Sequence, residues 1–256
     1  MGLIPNFPEI HFEFGAITEL APELVNHKIS RPLFLADEGV VNHGVLKKVT
    51  DALSSKIPYA VFDRIPENPT IEGINKALEI FNEQGCDGIV SVGGGSVLDS
   101  GKALRVVTNQ GGVLMDYLQD PGMIGPDVAP YITIPTTAGT GAEITFGGGI
   151  HPETNAPAMG IRSPFVKPDL AICDPALTIT LPPHLTAATG MDAVTHCVEG
   201  YLSVTENSPT KAIALDGIYR AIKYIDRAVE DGNDKEARYN MSMAALEGGM
   251  SIYMGL

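Results

Sequence analysis

Four short runs, PLFLA from Pro32, YAVFD from Tyr59, GIVSV from Gly88 and YITI from Tyr131, are apolar almost from end to end. A strand with one solvated face alternates polar and apolar residues, whereas unbroken apolar runs of this length suit strands buried on both faces. Between them, residues 40–56 and 71–84 carry apolar residues at helical spacing, with Ile71, Ile74, Leu78 and Phe81 forming the stripe of the second. Gly85 closes that stripe as a C-terminal cap. Strand alternating with helix predicts an open parallel sheet covered on both sides, an α/β architecture.

The pattern changes after residue 143. Residues 143–178 are rich in Gly and Pro with short extended pieces, and LPPH at 181–184 opens a long helical region. Helices are predicted over 185–202, 209–229 and 234–253. The expected organisation is an α/β domain over residues 1–180 and an all-α region over 181–256, with a cleft between them of the kind that holds cofactors and substrates.

Composition narrows the classes of function. The 256 residues carry a formal charge of −14 with no basic cluster, which leaves no electrostatic footprint for nucleic acid or anionic lipid. The opening MGLIPNFPEIHFEFG predicts no signal peptide, Asn6 does not fit a myristoylation signal, and no apolar run predicts a membrane span. Cys86, Cys173 and Cys197 form no disulfide or zinc spacing, so a cytoplasmic, reducing location is expected.

The segment SVGGGSVLDSGKAL at 91–104 follows one apolar run directly and leads into a helix. Gly93, Gly94 and Gly95 would let a phosphate approach the backbone, and the helix start offers free N–H groups and a positive dipole end. The segment matches no standard fingerprint. A dinucleotide G-x-G-x-x-G pattern would need Gly in place of Leu98, and a P-loop would need Gly at Ser96 and Ser or Thr at Ala103. Nor is it a hydrolase elbow, which also requires Gly at Leu98. The plainer alternative is a tight strand-to-helix turn.

A second turn, IPTTAGTGAE at 134–143, follows the next run with hydroxyl and amide donors, and two such loops on neighbouring strands suit a Rossmann-like dinucleotide site. Asp37, at the end of PLFLAD, would accept from ribose hydroxyls and favour NAD over NADP, or else simply cap the next helix.

In GMDAVTHCVEGY, residues 190–201, Asp192 and His196 lie one helical turn apart on a common face. A carboxylate and an imidazole suit Fe(II) or Zn(II), although such a pair is more often a surface hydrogen bond and two donors do not complete a site. The motifs GGGSVLDSGKA, IPTTAGTGAE and DPALTITLPPHLTAATGMDAVTHCVEGY, in this order, resemble those of the iron-containing (group III) alcohol dehydrogenases along essentially the whole chain. The resemblance implies an NAD(P)-binding α/β domain, a helical metal-binding domain, and hydride transfer between a small alcohol or aldehyde and nicotinamide. It also implies Fe2+, or Zn2+, held by one Asp and three His, of which Asp192 and His196 are the Asp and the first His. Gly94, Gly95 and Ser96 would hold the pyrophosphate with Asp99 behind them. Thr136, Thr137 and Thr140 would line the adenine and phosphate region, Asn68 would flank the cofactor, and Leu177 would touch it through its backbone. A homodimer or larger homo-oligomer is expected.

The chain departs from this pattern in two places. No histidine follows His196, so the other two metal histidines are without counterparts and about the last third of the enzyme is expected to be missing. His151 and His184 read as ordinary structural or surface residues. Before Ser163-Pro164, where the family commonly carries a cofactor-contacting lysine, stand Ala158 and Met159, with Arg162 nearby. The expectation is therefore an NAD-dependent alcohol or diol dehydrogenase that is weak or inactive as this polypeptide. The alternatives are a metal-independent nucleotide-binding protein, or a zinc enzyme like glycerol dehydrogenase. The apolar tail face with Met241, Met243, Leu246 and Met250 would pack on further helices or fold back on the 209–229 helix.

Overall fold

The computed structural model describes residues 6–53, 57–205 and 207–255. In chain order the elements are β1 (Glu9–Phe12), α1 (Leu20–Asn26), β2 (Pro32–Leu35), α2 (Glu38–Asn42), α3 (Val45–Asp51), β3 (Ala60–Phe62), α4 (Ile71–Glu83), β4 (Gly88–Gly93) and α5 (Gly95–Gln110). They continue with α6 (Leu114–Gln119), β5 (Tyr131–Pro135), β6 (Gly147–Ile150), β7 (Met159–Arg162), β8 (Leu170–Cys173), α7 (Pro183–Leu202), α8 (Ser208–Glu230) and α9 (Lys235–Gly255).

Six strands form one parallel sheet in the order β1-β8-β5-β4-β2-β3. The apolar runs behave as strands buried on both faces must. Leu33, Leu35 and Ile89 join one core with Ile74 and Phe81 of α4 and Leu104 of α5. Their neighbours Phe34, Val90 and Val92 join the opposite core with Leu24 of α1 and Val49 of α3. The sheet is thus sandwiched between helices, as the alternation of strand and helix predicts.

Several local features differ from the sequence reading. The single helix expected over 40–56 is two, because Gly44 takes a left-handed φ of 71° between α2 and α3; its expected end at Lys56 lies outside the described residues. The cap at Gly85 is present, with φ 62° and Cys86 N–H donating back to Phe81 O at 2.9 Å. β1 and its pairing with β8 carry no local signal, since the two partners lie at opposite ends of the α/β portion. The 143–178 segment contributes an antiparallel hairpin, β6 with β7.

α7, α8 and α9 pack against one another through small residues, Ala193, Ala221, Ala228, Ala237 and Ala244 among them. The tail face is covered. Met241 is buried in that bundle, while Leu246, Met243 and Met250 pack against Ala171 and Cys173 of β8 and Ile10 and Phe12 of β1. Met241 follows the expected fold-back onto the 209–229 helix, while the other three take a course the sequence reading left out, in which α9 packs on the flank of the sheet.

α5 crosses the sheet closely at Gly101, where an added Cβ would lie 2.4 Å from both Ser91 Oγ and Tyr131 Oη. Tyr131 is fully buried and its hydroxyl donates to Leu98 O at 2.6 Å, so it has little room to yield. Gly101→Ala should lower stability by about 1–3 kcal/mol despite the better helix propensity of Ala. Chemical denaturation checks this, and an unchanged or raised midpoint would contradict the close approach.

Candidate active site

A parallel sheet offers a crevice where its strand order reverses, outside the carboxyl ends of the strands. Here that point lies between β2 and β4, since the chain runs outward to β3 and then returns to the other side of β2. Asp37 follows β2 and Gly94 follows β4. A groove of about 810 Å³ lies there, lined by Asp37, Gly94, Gly95, Ser96, Thr136, Thr137, Thr140 and Leu177, together with Thr180, Leu181, Leu185 and Thr189. Eight of the residues picked out from the sequence therefore meet along one groove.

Close packing gives the glycines a reason beyond the phosphate access expected of them. None of Gly93, Gly94 and Gly95 has a positive φ. A Cβ on Gly93 would sit 2.6 Å from Val97 Cβ, whereas Gly94 and Gly95 are kept small by the second loop: a Cβ on Gly95 would sit 2.8 Å from Thr140 Cγ2, and one on Gly94 would sit 3.2 Å from Thr137 Cγ2. The two loops are interlocked, and the helix that starts at Gly95 aims its free N–H groups into the groove between them. Ser96 Oγ donates to the carbonyl of Glu67, tying the glycine turn to the loop before α4.

Asp37 both lines the groove and caps α2, with its Oδ1 accepting from Val40 N–H at 2.9 Å. Two other residues selected from the sequence stand off the groove. Asn68 is exposed on the loop beside it. Asp99 turns toward the hairpin, accepting from Lys102 Nζ at 2.9 Å and from Gly149 N–H at 3.0 Å.

Leu185 and Thr189 of α7 form part of the groove wall, and Asp192 and His196 continue the same helical face beyond it. Thr189 also packs under Gly139, so α7 touches the threonine loop directly. His196 Nε2 lies 3.5 Å from Asp192 Oδ1, both side chains being partly exposed. That separation is long for a direct hydrogen bond. His196 Nδ1 is buried with no hydrogen-bond partner among the described residues. No group of three or more His, Cys, Asp or Glu that would hold an ion occurs among them either. His151 Nδ1 is engaged with Ala156 O at 2.6 Å, and His184 is exposed at the start of α7. The two donors therefore do not fit a protein-held ion on their own, for which three or more protein ligands are usual.

Sequence reasoning missed two buried charged groups behind the threonine loop. Lys102 is fully buried, and its ammonium donates to Asp99, to Thr145 Oγ1 at 2.8 Å and to Gly147 O at 2.7 Å. Glu143, the last residue of IPTTAGTGAE, is 4 % exposed, and burial pushes its pKa up from 4.5 to about 7 against the opposing pull of Lys102. The i,i+3 spacing of Asp99 and Lys102 was the one available hint; the burial of Glu143 has no local sequence signal.

The fold and groove define an α/β unit with a six-stranded parallel sheet joined to a helical bundle, and comparison with known proteins narrows this further. The family described as iron-containing alcohol dehydrogenase matches residues 8–175, and the C-terminal part of the same family matches residues 186–254. The chain belongs to the iron-containing alcohol dehydrogenase family. It is 42 % identical to a 4-hydroxybutyrate dehydrogenase of Cupriavidus necator over all of this chain and 67 % of that protein. With a choline dehydrogenase of Bacillus subtilis it shares 37 % identity over 93 % of this chain and 60 % of that one. A sulfoacetaldehyde reductase from Bifidobacterium kashiwanohense, solved in complex with NAD+, superposes with a TM-score of 0.93 at 27 % identity, covering 98 % of this chain and 66 % of that one. The chain thus spans about two thirds or less of the length of these relatives.

A carboxyl whose pKa rises on folding holds its proton more tightly in the folded chain. Stability from Glu143 is therefore greatest in acid and falls as pH climbs from 4.5 through about 7. Glu143→Gln should remove that share of the fall, ~3 kcal/mol on linkage. Denaturation midpoints of wild type and variant across this range check it, and parallel pH profiles would contradict it.

Proposed function

We propose that this chain is the nucleotide-binding portion, with the first helices of the metal-binding bundle, of an NAD-dependent dehydrogenase for a small alcohol or diol. The observation that carries the reading is the groove at the strand-order reversal, with the start of α5 at its floor and the threonine loop against it. Its volume suits a cofactor. Bound NAD would supply a hydride acceptor at its nicotinamide ring. Gly94, Gly95 and Ser96 would donate backbone N–H bonds to the pyrophosphate. Thr136, Thr137 and Thr140 would add hydroxyl donors, and Asp37 would accept from ribose hydroxyls. Leu177, Thr180 and Leu181 would exclude water from one side. Asn68 would flank the cofactor from the rim, and Asp99 acts through the hairpin it holds.

Asp192 and His196 are the donors this chain offers toward Fe2+ or Zn2+. With two of them, no step of the reaction runs through an ion held by these residues alone. That supports weak or absent turnover by the 256-residue chain. It equally favours a second reading, a protein that binds the nucleotide with no metal dependence. Three buried, unpaired cysteines suit a cytoplasmic setting, and among the described residues no helix is long and apolar enough to cross a membrane.

The test combines binding with turnover. Isothermal titration should show NAD+ binding that survives a chelator and exceeds NADP+ binding, and Asp37→Ser should lower that preference about tenfold by ceding the ribose contact. With Fe2+ or Zn2+ added, reduced nicotinamide should form slowly or not at all from primary alcohols, diols and 4-hydroxybutyrate. Failure to bind NAD+ would overturn the nucleotide reading; brisk turnover would overturn the assigned deficit in metal donors.

A further inference from the structure

Arg238 of α9 is 3 % exposed, and it reaches out of the bundle to the segment that joins β8 to α7. Its Nε donates to Gly232 O at 2.9 Å and its Nη1 to Thr186 Oγ1 at 3.0 Å. Its Nη2 lies 3.3 Å from Leu181 O and 3.5 Å from Ile179 O. Thr186 Oγ1 passes the connection on, donating to the same Leu181 carbonyl at 3.3 Å. All these acceptors are neutral. A buried guanidinium held by neutral groups lacks the compensation of an ion pair, and burial pulls its pKa down with Asp231 opposing from a distance. The site also lies at the first turns of α7, where the helix dipole disfavours a cation. As a contribution to stability alone, this is an unfavourable place for a charge.

Its acceptors explain the placement. The carbonyls it holds, of Ile179 and Leu181, belong to the segment whose Thr180, Leu181 and Pro182, with Leu185, line one side of the nucleotide groove. The segment has little regular backbone bonding to fix it; Leu181 N–H donates to Thr178 O at 3.1 Å in a single turn. Holding those carbonyls fixes the backbone from which Thr180, Leu181 and Pro182 line the groove.

We propose that Arg238 is a positioning residue for the nucleotide groove, stapling the 179–186 wall to α9 so that the helical bundle sets the groove's width. This rests on the nucleotide reading of the groove. The guanidinium does not line the groove and acts through the wall it holds. A fork of several fixed donors is needed to reach all these acceptors, which a lysine ammonium on a flexible stem cannot reproduce.

Arg238→Lys and Thr186→Val, confirmed folded by circular dichroism, should each weaken NAD+ binding to the 256-residue chain about tenfold in isothermal titration, because a wall displaced by a fraction of an ångström loses its fit to the ligand. Arg227→Met, which removes the ion pairs of Arg227 with Asp234 and Glu236 near the same end of α9, should leave NAD+ affinity unchanged. A loss shared by Arg227→Met would mark a general structural effect and overturn the proposal. Should Arg238→Lys fail to fold, Thr186→Val alone carries the test. Wild-type affinity in every folded variant of Arg238 and Thr186 would overturn the positioning role while leaving the nucleotide reading intact. Absence of NAD+ binding by the wild type would overturn both.

Discussion

The interlock of two loops at the carboxyl edge of the sheet governs the rest of this molecule. Gly95 lies so close under Thr140, and Gly94 under Thr137, that a side chain at either position would press on the opposite loop. The floor of the groove is built from both loops packed together, with the start of α5 pointing into it. Groups held in place before a ligand arrives lose less freedom when it binds, which is how a rigid scaffold supports a site.

The same threonine loop couples the two kinds of architecture. Gly139 packs on Thr189 of α7, and Gly141, with φ of 63°, approaches Gly249 of α9 so closely that an added Cβ would lie 2.5 Å from its Cα. Backbone meets backbone there because both residues lack side chains. Arg238 makes a second connection on the other wall. The bundle and the sheet therefore share the groove as a common boundary, and the Asp192 and His196 pair continues the helical face that borders it.

Much of this was legible in the sequence because it was written locally. Unbroken apolar runs gave the buried strands, the break at LPPH gave the start of the bundle, and the two donor-rich turns gave the groove. Three features were not local. The pairing of β1 with β8 joins distant segments, and no short window announces a partner so far away. Gly44 was indistinguishable from a tolerated helix glycine until its positive φ was seen. Lys102 is buried beside the hairpin strand at Gly147, and Glu143 lies near Ser242 of α9, neighbours that no local window shows. The packing of Gly94 and Gly95 against the second loop was not legible, since phosphate access and close loop packing leave the same residues in the sequence.

The central claim is that the start of α5 and the threonine loop together form the binding surface for a dinucleotide. Amide chemical shifts of the labelled chain, followed while NAD+ is added, test it most directly. The account predicts that the largest changes fall on Gly94, Gly95 and Ser96 and on the amides of Thr136, Thr137 and Thr140. Changes centred instead on the surface pocket between α4 and the hairpin, around Thr70, Lys76 and Glu153, or no saturable change at all, would contradict it.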